Sequence, residues 1–158
     1  MHHRSSAALA AALLATLGPA AAQQNATWHQ NCAMQADLAG DLTARDARSA
    51  DAPERPATEG ALRAFADGHE ARMTAKLEAG YAQAAAYGWD RARVDAEHEK
   101  LGRQTYEAHI QPALDAGRIT TDLVMALNTC ATGDPEAWNQ DEATLSAALN
   151  QLFAWARS

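Results

Sequence analysis

The sequence predicts an all-α protein: a compact antiparallel bundle of about five helices, tied by one disulfide bond, that follows a cleaved signal peptide. Strand signals are nearly absent, because β-branched and aromatic residues are few and do not alternate with polar residues. Apolar residues recur instead at helical spacing in several long stretches. The chain has two cysteines, Cys32 and Cys130, which suit a disulfide bond between distant helices.

Residues 1–22 have the pattern of a secretory signal peptide. A short polar start that contains Arg4 precedes an uncharged apolar stretch. A run of small residues follows and ends at Ala22, after which a signal peptidase would cut. The apolar stretch is about half of the ~20 residues that span a bilayer, so we expect cleavage and no retained anchor. The alternative is an alanine-rich first helix of the folded domain. After cleavage, residues 23–158 form a single helical domain.

Charge and composition limit the possible partners of this domain. Loss of residues 1–22 removes Arg4 and no acidic residue, so the net charge changes from −7 to −8. An acidic domain without a basic cluster is a poor match to the phosphates of DNA or RNA. No later stretch is apolar enough to span a membrane. Arginine outnumbers lysine and alanine is abundant, which is typical of a GC-rich bacterial genome. We therefore expect an exported bacterial protein, periplasmic or secreted.

In an exported chain, two cysteines predict an intramolecular disulfide. Cys32 and Cys130 are 98 positions apart, so their bond would close a very long loop and tie the first helix to the fourth. The alternatives are two buried thiols or an intermolecular bond.

The first two helices are predicted over residues 28–50 and 58–87. The break between them follows from Pro53 and Pro56, which stand too close together for a continuous helix. The second helix carries an apolar stripe that includes Phe65, His69 and Met73. Gly88 is its predicted stop.

The remaining three helices have recognisable start signals. The third covers residues 91–116 after the N-cap Asp90, and Pro112 predicts either a kink or a break near Gln111. The fourth starts after the N-cap Thr120, and the fifth is expected to start at residues 134–136, where an aspartate, a proline and a glutamate follow one another.

The histidines raise the possibility of a metal site. His69 and Met73 of the second helix, with His98 of the third, could supply nitrogen and sulfur ligands to zinc or copper across the two helices. The chain lacks any His-Glu-x-x-His or Glu-x-x-His motif, however, and a histidine on an apolar stripe is more often part of a core. No metal or other cofactor is therefore expected, and these three residues remain weak candidates.

Other chemistry lacks a sequence signature. Covalent c-type haem would need a Cys-x-x-Cys-His motif, and the chain has neither a nucleophile elbow nor a phosphate-binding glycine loop. The sequence thus predicts a protein without enzymatic activity.

Aromatic residues near helix ends suggest binding. Tyr87 and Trp89 place two large rings at one predicted turn, where they could form a surface for a partner or could close the end of the bundle. We expect an exported accessory or chaperone-like protein that binds a partner protein or peptide. The alternative is a helical bundle that binds a metal or a small ligand.

Overall fold

The computed structural model describes residues 25–158, and this part of the chain contains five helical segments and no strand. The third segment consists of two α-helices joined by a π-helical turn. The elements in order are α1 (Ala26–Arg45), α2 (Arg55–Ala86), α3 (Arg91–Thr105), the π segment (Tyr106–Ile110), α4 (Gln111–Ala116), α5 (Thr121–Gly133) and α6 (Glu142–Arg157). The predicted all-α fold is confirmed for these residues.

Membrane spanning and export were both addressed by the sequence. Between residues 25 and 158, none of the helices combines the length and the apolar character needed to cross a membrane. The predicted signal peptide, residues 1–22, lies outside the described residues.

α1 is shorter than predicted. It begins where the Asn25 side chain accepts a hydrogen bond from the backbone N–H of Trp28 at 2.8 Å. It ends before Asp46, which takes an extended backbone conformation. The buried Ser49 hydroxyl then donates to the Thr43 carbonyl at 2.7 Å. A serine that bonds to the backbone competes with helix formation, so the predicted continuation to residue 50 is wrong.

α2 begins earlier than predicted. Its first residue is Arg55, three positions before the expected start at Thr58. Pro56 fits because the first turn of a helix needs no intrahelical donor, so the missing N–H costs nothing there. At the other end the helix stops before Gly88, whose φ of 76° is left-handed, and this predicted stop is confirmed.

The third helical segment contains an irregularity where Pro112 predicted one. The Asp90 side chain accepts from the backbone N–H of Arg93 at 2.9 Å, which confirms the expected N-cap. The π segment follows α3 directly and ends just before Gln111. Pro112 has no N–H to donate to the preceding turn, and the wider π turn accommodates this loss without ending the helix.

α5 and α6 differ in how well their starts were predicted. The Thr120 hydroxyl oxygen accepts from the backbone N–H of Leu123 at 3.2 Å, so the predicted N-cap of α5 is confirmed. The predicted start of the last helix at residues 134–136 is wrong, because only a 3-10 turn forms there (Pro135–Ala137). Asn139, with a left-handed φ of 55°, separates this turn from α6.

The main core lies where α1, α2, α5 and α6 meet. Its largest fully buried apolar side chains are Phe65, Leu62, Ile119, Leu127 and Leu152. From α1, this core contains the small residues Ala36 and Ala39 beside Leu38 and Leu42. Because alanine buries little apolar area, this core gains less free energy per residue than a leucine-rich core would.

A disulfide bond crosses this core. It joins Cys32 of α1 to Cys130 of α5, whose Cα atoms are 5.7 Å apart, and both residues are buried. The bond predicted from the sequence is therefore present, and it uses both cysteines of the chain.

Asp46 and Arg48 fix the connection between α1 and α2. The Arg48 guanidinium donates to the carbonyl of Trp155 at 2.6 Å and to the carbonyl of Ile119 at 2.9 Å. The buried Asp46 carboxylate accepts from the backbone N–H of Ile119 at 3.1 Å. Its hydrogen bonds with Arg48 hold the pKa of Asp46 well below its usual range. One ion pair thus links the end of α1, the start of α5 and the end of α6.

The second half of α2 leaves the main core. After His69, the only buried residues of α2 are Gly80 and Ala84. Ala84 packs with Trp89 and Val94 in a separate small cluster at the α2–α3 turn. We call residues 76–101 the arm. It is held by its own contacts rather than by the main core.

We expect loss of the disulfide bond to destabilise the domain strongly. Closing a loop of this length stabilises a fold by about 4–5 kcal/mol in the chain-entropy model, and the alanine-rich core offers little compensation. The measurement is urea unfolding followed by circular dichroism, with and without dithiothreitol. The expected result is a large fall in the unfolding midpoint on reduction.

The double variant Cys32→Ala, Cys130→Ala is the control. It should unfold near the midpoint of the reduced protein and should not respond to dithiothreitol. An unchanged midpoint on full reduction of the natural chain would contradict the prediction.

Candidate functional site

The three metal candidates lie on two helices. His69 is fully buried in α2, Met73 is partly exposed one turn later, and His98 is buried in α3. Within residues 25–158, no group of three or more histidine, cysteine, aspartate or glutamate side chains is arranged to hold one metal ion. Burial lowers the pKa of His98, which favours its neutral form.

His69 meets a histidine that the sequence analysis did not single out. The Nδ1 atom of His29, on α1, lies 3.0 Å from the Nδ1 atom of His69. Both side chains are completely buried. A contact this short between two imidazole nitrogens requires that one ring donates its N–H to the other. The histidine pair therefore joins α1 to α2 through a single buried hydrogen bond.

Aromatic rings form part of the wall around the histidine pair. The Trp28 ring stands edge-on to both imidazoles, with centroid distances of 5.0 Å to His29 and 5.5 Å to His69. The Phe65 ring packs against His69 at 4.5 Å. These apolar walls take water away from the imidazoles, and the charged form of a histidine loses more from that than the neutral form.

One carboxylate approaches the other side of the pair. Asp134, just after α5, has its Oδ2 atom 3.8 Å from the Nε2 atom of His29. The same oxygen is 3.3 Å from the Nε atom of Arg72. A negative oxygen near Nε2 favours the His29 tautomer that carries its hydrogen there, so His69 is the donor between the two Nδ1 atoms. Nε2 of His69 then has no hydrogen-bond partner among the described residues.

The environment of the pair disfavours protonation. Burial, with the nearby charges of Lys76 and Arg72, lowers the pKa of His29 from 6.5 to about 4. Burial and repulsion from His29 lower the pKa of His69 to about 4 as well, although Asp134 acts in the opposite direction. Both imidazoles are therefore neutral at pH 7.

The connection between α5 and α6 closes over this region. Gly68, next to His69, lies so close to the connection that a Cβ atom there would be 1.7 Å from the Ala137 carbonyl oxygen. Only glycine permits this approach. Gln140 adds a hydrogen bond from its Nε2 atom to the Ala61 carbonyl at 2.9 Å.

The predicted partner surface is divided between solvent and interior. Tyr87 is 60% exposed at the tip of the arm, whereas Trp89 is only 9% exposed and packs against Ala84 and Val94. The Arg93 guanidinium covers the Trp89 ring at 3.8 Å from its centroid. Tyr87 can therefore contact a partner directly, and Trp89 supports the turn that presents it.

A groove that the sequence analysis missed lies between α4 and α5. It has a volume of about 380 Å³ and includes side chains such as Pro112, Ala113 and Ala126. Gln35 of α1 also lines it, and the π segment contributes His109. π-helical turns occur frequently at functional sites. The one sequence signal near this groove was Pro112, which predicted an irregularity close to Gln111.

Comparison of this chain with models of protein families, with curated proteins and with solved structures found no match.

The histidine pair predicts a loss of stability in mild acid. The folded state has histidine pKa values of about 4, whereas the unfolded chain has values near 6.5. Between these values the unfolded chain binds more protons, so the free energy of unfolding falls as the pH falls from 6.5 towards 4. We expect the free energy of unfolding to fall by several kcal/mol between pH 7 and pH 4.5, because each histidine contributes about 1.4 kcal/mol for each pH unit in this window. Urea unfolding at pH 7, 6, 5 and 4.5 measures it.

Matched variants separate the pair from other groups. The double variant His29→Gln, His69→Gln should lose the part of this pH dependence that comes from the pair and keep the part that comes from the buried His98, whose pKa is also lowered. His109→Gln removes a histidine that is exposed in the groove and should keep the full dependence. Asp46 does not interfere, because its lowered pKa acts only below the ordinary value of 3.8. If the free energy of unfolding fell equally in acid for the double variant and the natural chain, the pH dependence would not come from the histidine pair.

Proposed function

We propose that this chain is an exported, non-enzymatic helical protein, periplasmic or secreted, that binds a partner protein or peptide in an accessory or chaperone-like role. The observation that carries the proposal is the arm, which has a small cluster of its own and an exposed tyrosine at its tip. A tyrosine that is held in place before binding loses little conformational entropy in a complex, and tyrosine is enriched at binding hot spots.

The surroundings of Tyr87 support this role. Gly88, with its left-handed φ, and the buried Trp89 fix the turn that follows the tyrosine. On the arm, the Arg91 guanidinium lies 3.8 Å from the centroid of the Tyr81 ring, and Tyr81 donates a hydrogen bond to Asp95. These contacts join α2 to α3 near the tip, so the turn is presented on an ordered hairpin.

The test of this role is photo-crosslinking in the cells that produce the protein. A benzoyl-phenylalanine at position 87 should crosslink to a defined partner. The same group at position 136 is the control, because the Glu136 side chain is 83% exposed but belongs to the α5–α6 connection. Crosslinks of equal yield and pattern at both positions would indicate chance encounters and would contradict the proposal.

Truncation of the tyrosine should then weaken capture of that partner. We expect Tyr87→Ala to reduce the affinity about 30-fold, the effect of losing a hot-spot side chain worth about 2 kcal/mol. Circular dichroism should stay unchanged, because the side chain is exposed. Unaltered affinity of a folded Tyr87→Ala protein would remove the arm tip from the interface.

Export is tested separately. The protein recovered from the periplasm or the medium should begin at Gln23, and intact-mass measurement under non-reducing conditions should also show the two hydrogens lost on disulfide formation. A chain that retains residues 1–22 and remains in the cytoplasm would refute the export proposal.

Metal binding is the second candidate function, and one observation favours it. The two Nδ1 atoms of His29 and His69 face each other, and imidazole nitrogens are common ligands of zinc and copper. The pair would have to open slightly to admit an ion at ~2 Å from each nitrogen. Equilibrium dialysis against zinc and copper tests this. Uptake that is lost in His69→Gln would support it, and no uptake by the natural chain would exclude it.

A further inference from the structure

The α4–α5 groove has a polar side chain at its base. Gln35, on α1, is only 5% exposed, and it lines a groove whose neighbouring residues include several alanines. Most of the exposed surface of the groove is apolar. Binding sites for small ligands combine such apolar walls with a few placed polar groups, and their volumes are roughly 300–1,000 Å³. The groove, at about 380 Å³, has room for a few residues of a peptide.

The chemistry of the disulfide determines which end of the Gln35 amide enters the groove. One end of the carboxamide lies 3.7 Å from the Sγ atom of Cys130. A disulfide sulfur has no hydrogen to donate and is a weak acceptor. The amide is therefore more stable with its NH₂ group against the sulfur and its oxygen towards the groove. Neither end makes a hydrogen bond to nitrogen or oxygen among residues 25–158, so the oxygen is free for a ligand.

Other polar groups of the groove are also suited to a ligand that donates hydrogen bonds. The exposed carboxylate of Asp122 lines one side. Thr120 stands next to it, and no lysine or arginine lines the groove. Carboxylate and amide oxygens are acceptors, so they complement N–H groups and cations rather than anions.

The two helices that form the groove also carry exposed apolar side chains outside its lining. Met125 on α5 is 52% exposed, and Leu114 on α4 is 38% exposed. Methionine adapts to differently shaped apolar ligands and is common at binding surfaces.

We infer that the α4–α5 groove binds a short peptide segment in which a small apolar side chain stands next to a lysine or an arginine. The apolar side chain occupies the space between the alanine walls. The cationic group lies against Asp122, and an N–H of the segment donates to the Gln35 oxygen. The inference rests on the proposed partner-binding function and specifies the chemistry of one partner segment.

The experiment uses the purified, oxidised protein and a defined probe. The probe is an acetylated, amidated tetrapeptide of leucine, alanine, lysine and alanine, and its matched control carries glutamate in place of lysine. Titration followed by ¹⁵N–¹H correlation spectra should shift the amides of α4, α5 and the π segment with the lysine peptide. The glutamate peptide should bind at least fivefold more weakly, since its carboxylate faces Asp122.

Three variants test the assigned contacts. Asp122→Asn should weaken binding of the lysine peptide about fivefold, as expected for one exposed ion pair. Ala126→Phe should fill the groove and weaken binding at least tenfold. Asp67→Asn is the matched control, because it removes an exposed carboxylate of α2 and should leave the affinity unchanged.

Several outcomes would overturn the inference. They are the absence of shifts, shifts confined to other helices, equal binding of the two peptides, or full affinity in Asp122→Asn. Since Asp122 is exposed, that variant keeps the test valid even if Ala126→Phe fails to fold. The titration needs no cellular partner, so its failure is distinguishable from a failure of crosslinking at position 87.

Discussion

The disulfide bond between Cys32 and Cys130 is the constraint on which the packing of this domain depends. It holds α1 against α5 in a core to which α1 contributes the small residues Ala36 and Ala39 beside two leucines. Alanines allow two helices to approach closely, but their small buried area contributes little to keeping them together. The covalent bond supplies stability that this part of the core lacks, because it lowers the conformational entropy of the unfolded chain over a span of 98 residues. An oxidising compartment is the environment in which such a design is stable.

The two irregular connections follow a common principle. In the first, Asp46 pairs with Arg48, and the arginine also binds carbonyls at the start of α5 and the end of α6. In the second, Asp134 pairs with Arg72 and approaches His29. Each aspartate thus holds a non-helical stretch against helices that are distant in sequence. Buried backbone groups need partners, and in the first connection the charged pair itself supplies them.

These tertiary partners explain which features the sequence predicts and which it does not. The N-caps Asp90 and Thr120 and the stop at Gly88 depend on neighbours within a few residues, and all three are present. The end of α1 depends instead on Arg48 contacting carbonyls more than 70 positions away. Likewise, His69 is recognisable as a buried histidine, but its partner His29 is 40 positions away on another helix. No local spacing encodes that pairing, so the sequence could indicate the candidate and not the site.

The arrangement along α1 relates the histidine pair to the groove. His29, Cys32 and Gln35 follow one another at intervals of three residues, and all are buried. The disulfide therefore lies between the hydrogen-bonded histidines and the amide at the base of the groove. Protonation of the histidines strains the contact of α1 with α2 and the α5–α6 connection. Along α1 the histidine pair lies on one side of the disulfide that fixes α1 to α5, and Gln35 lies on the other side. Acid should consequently weaken the histidine end first, whereas the position of Gln35 relative to α5 is maintained by the disulfide.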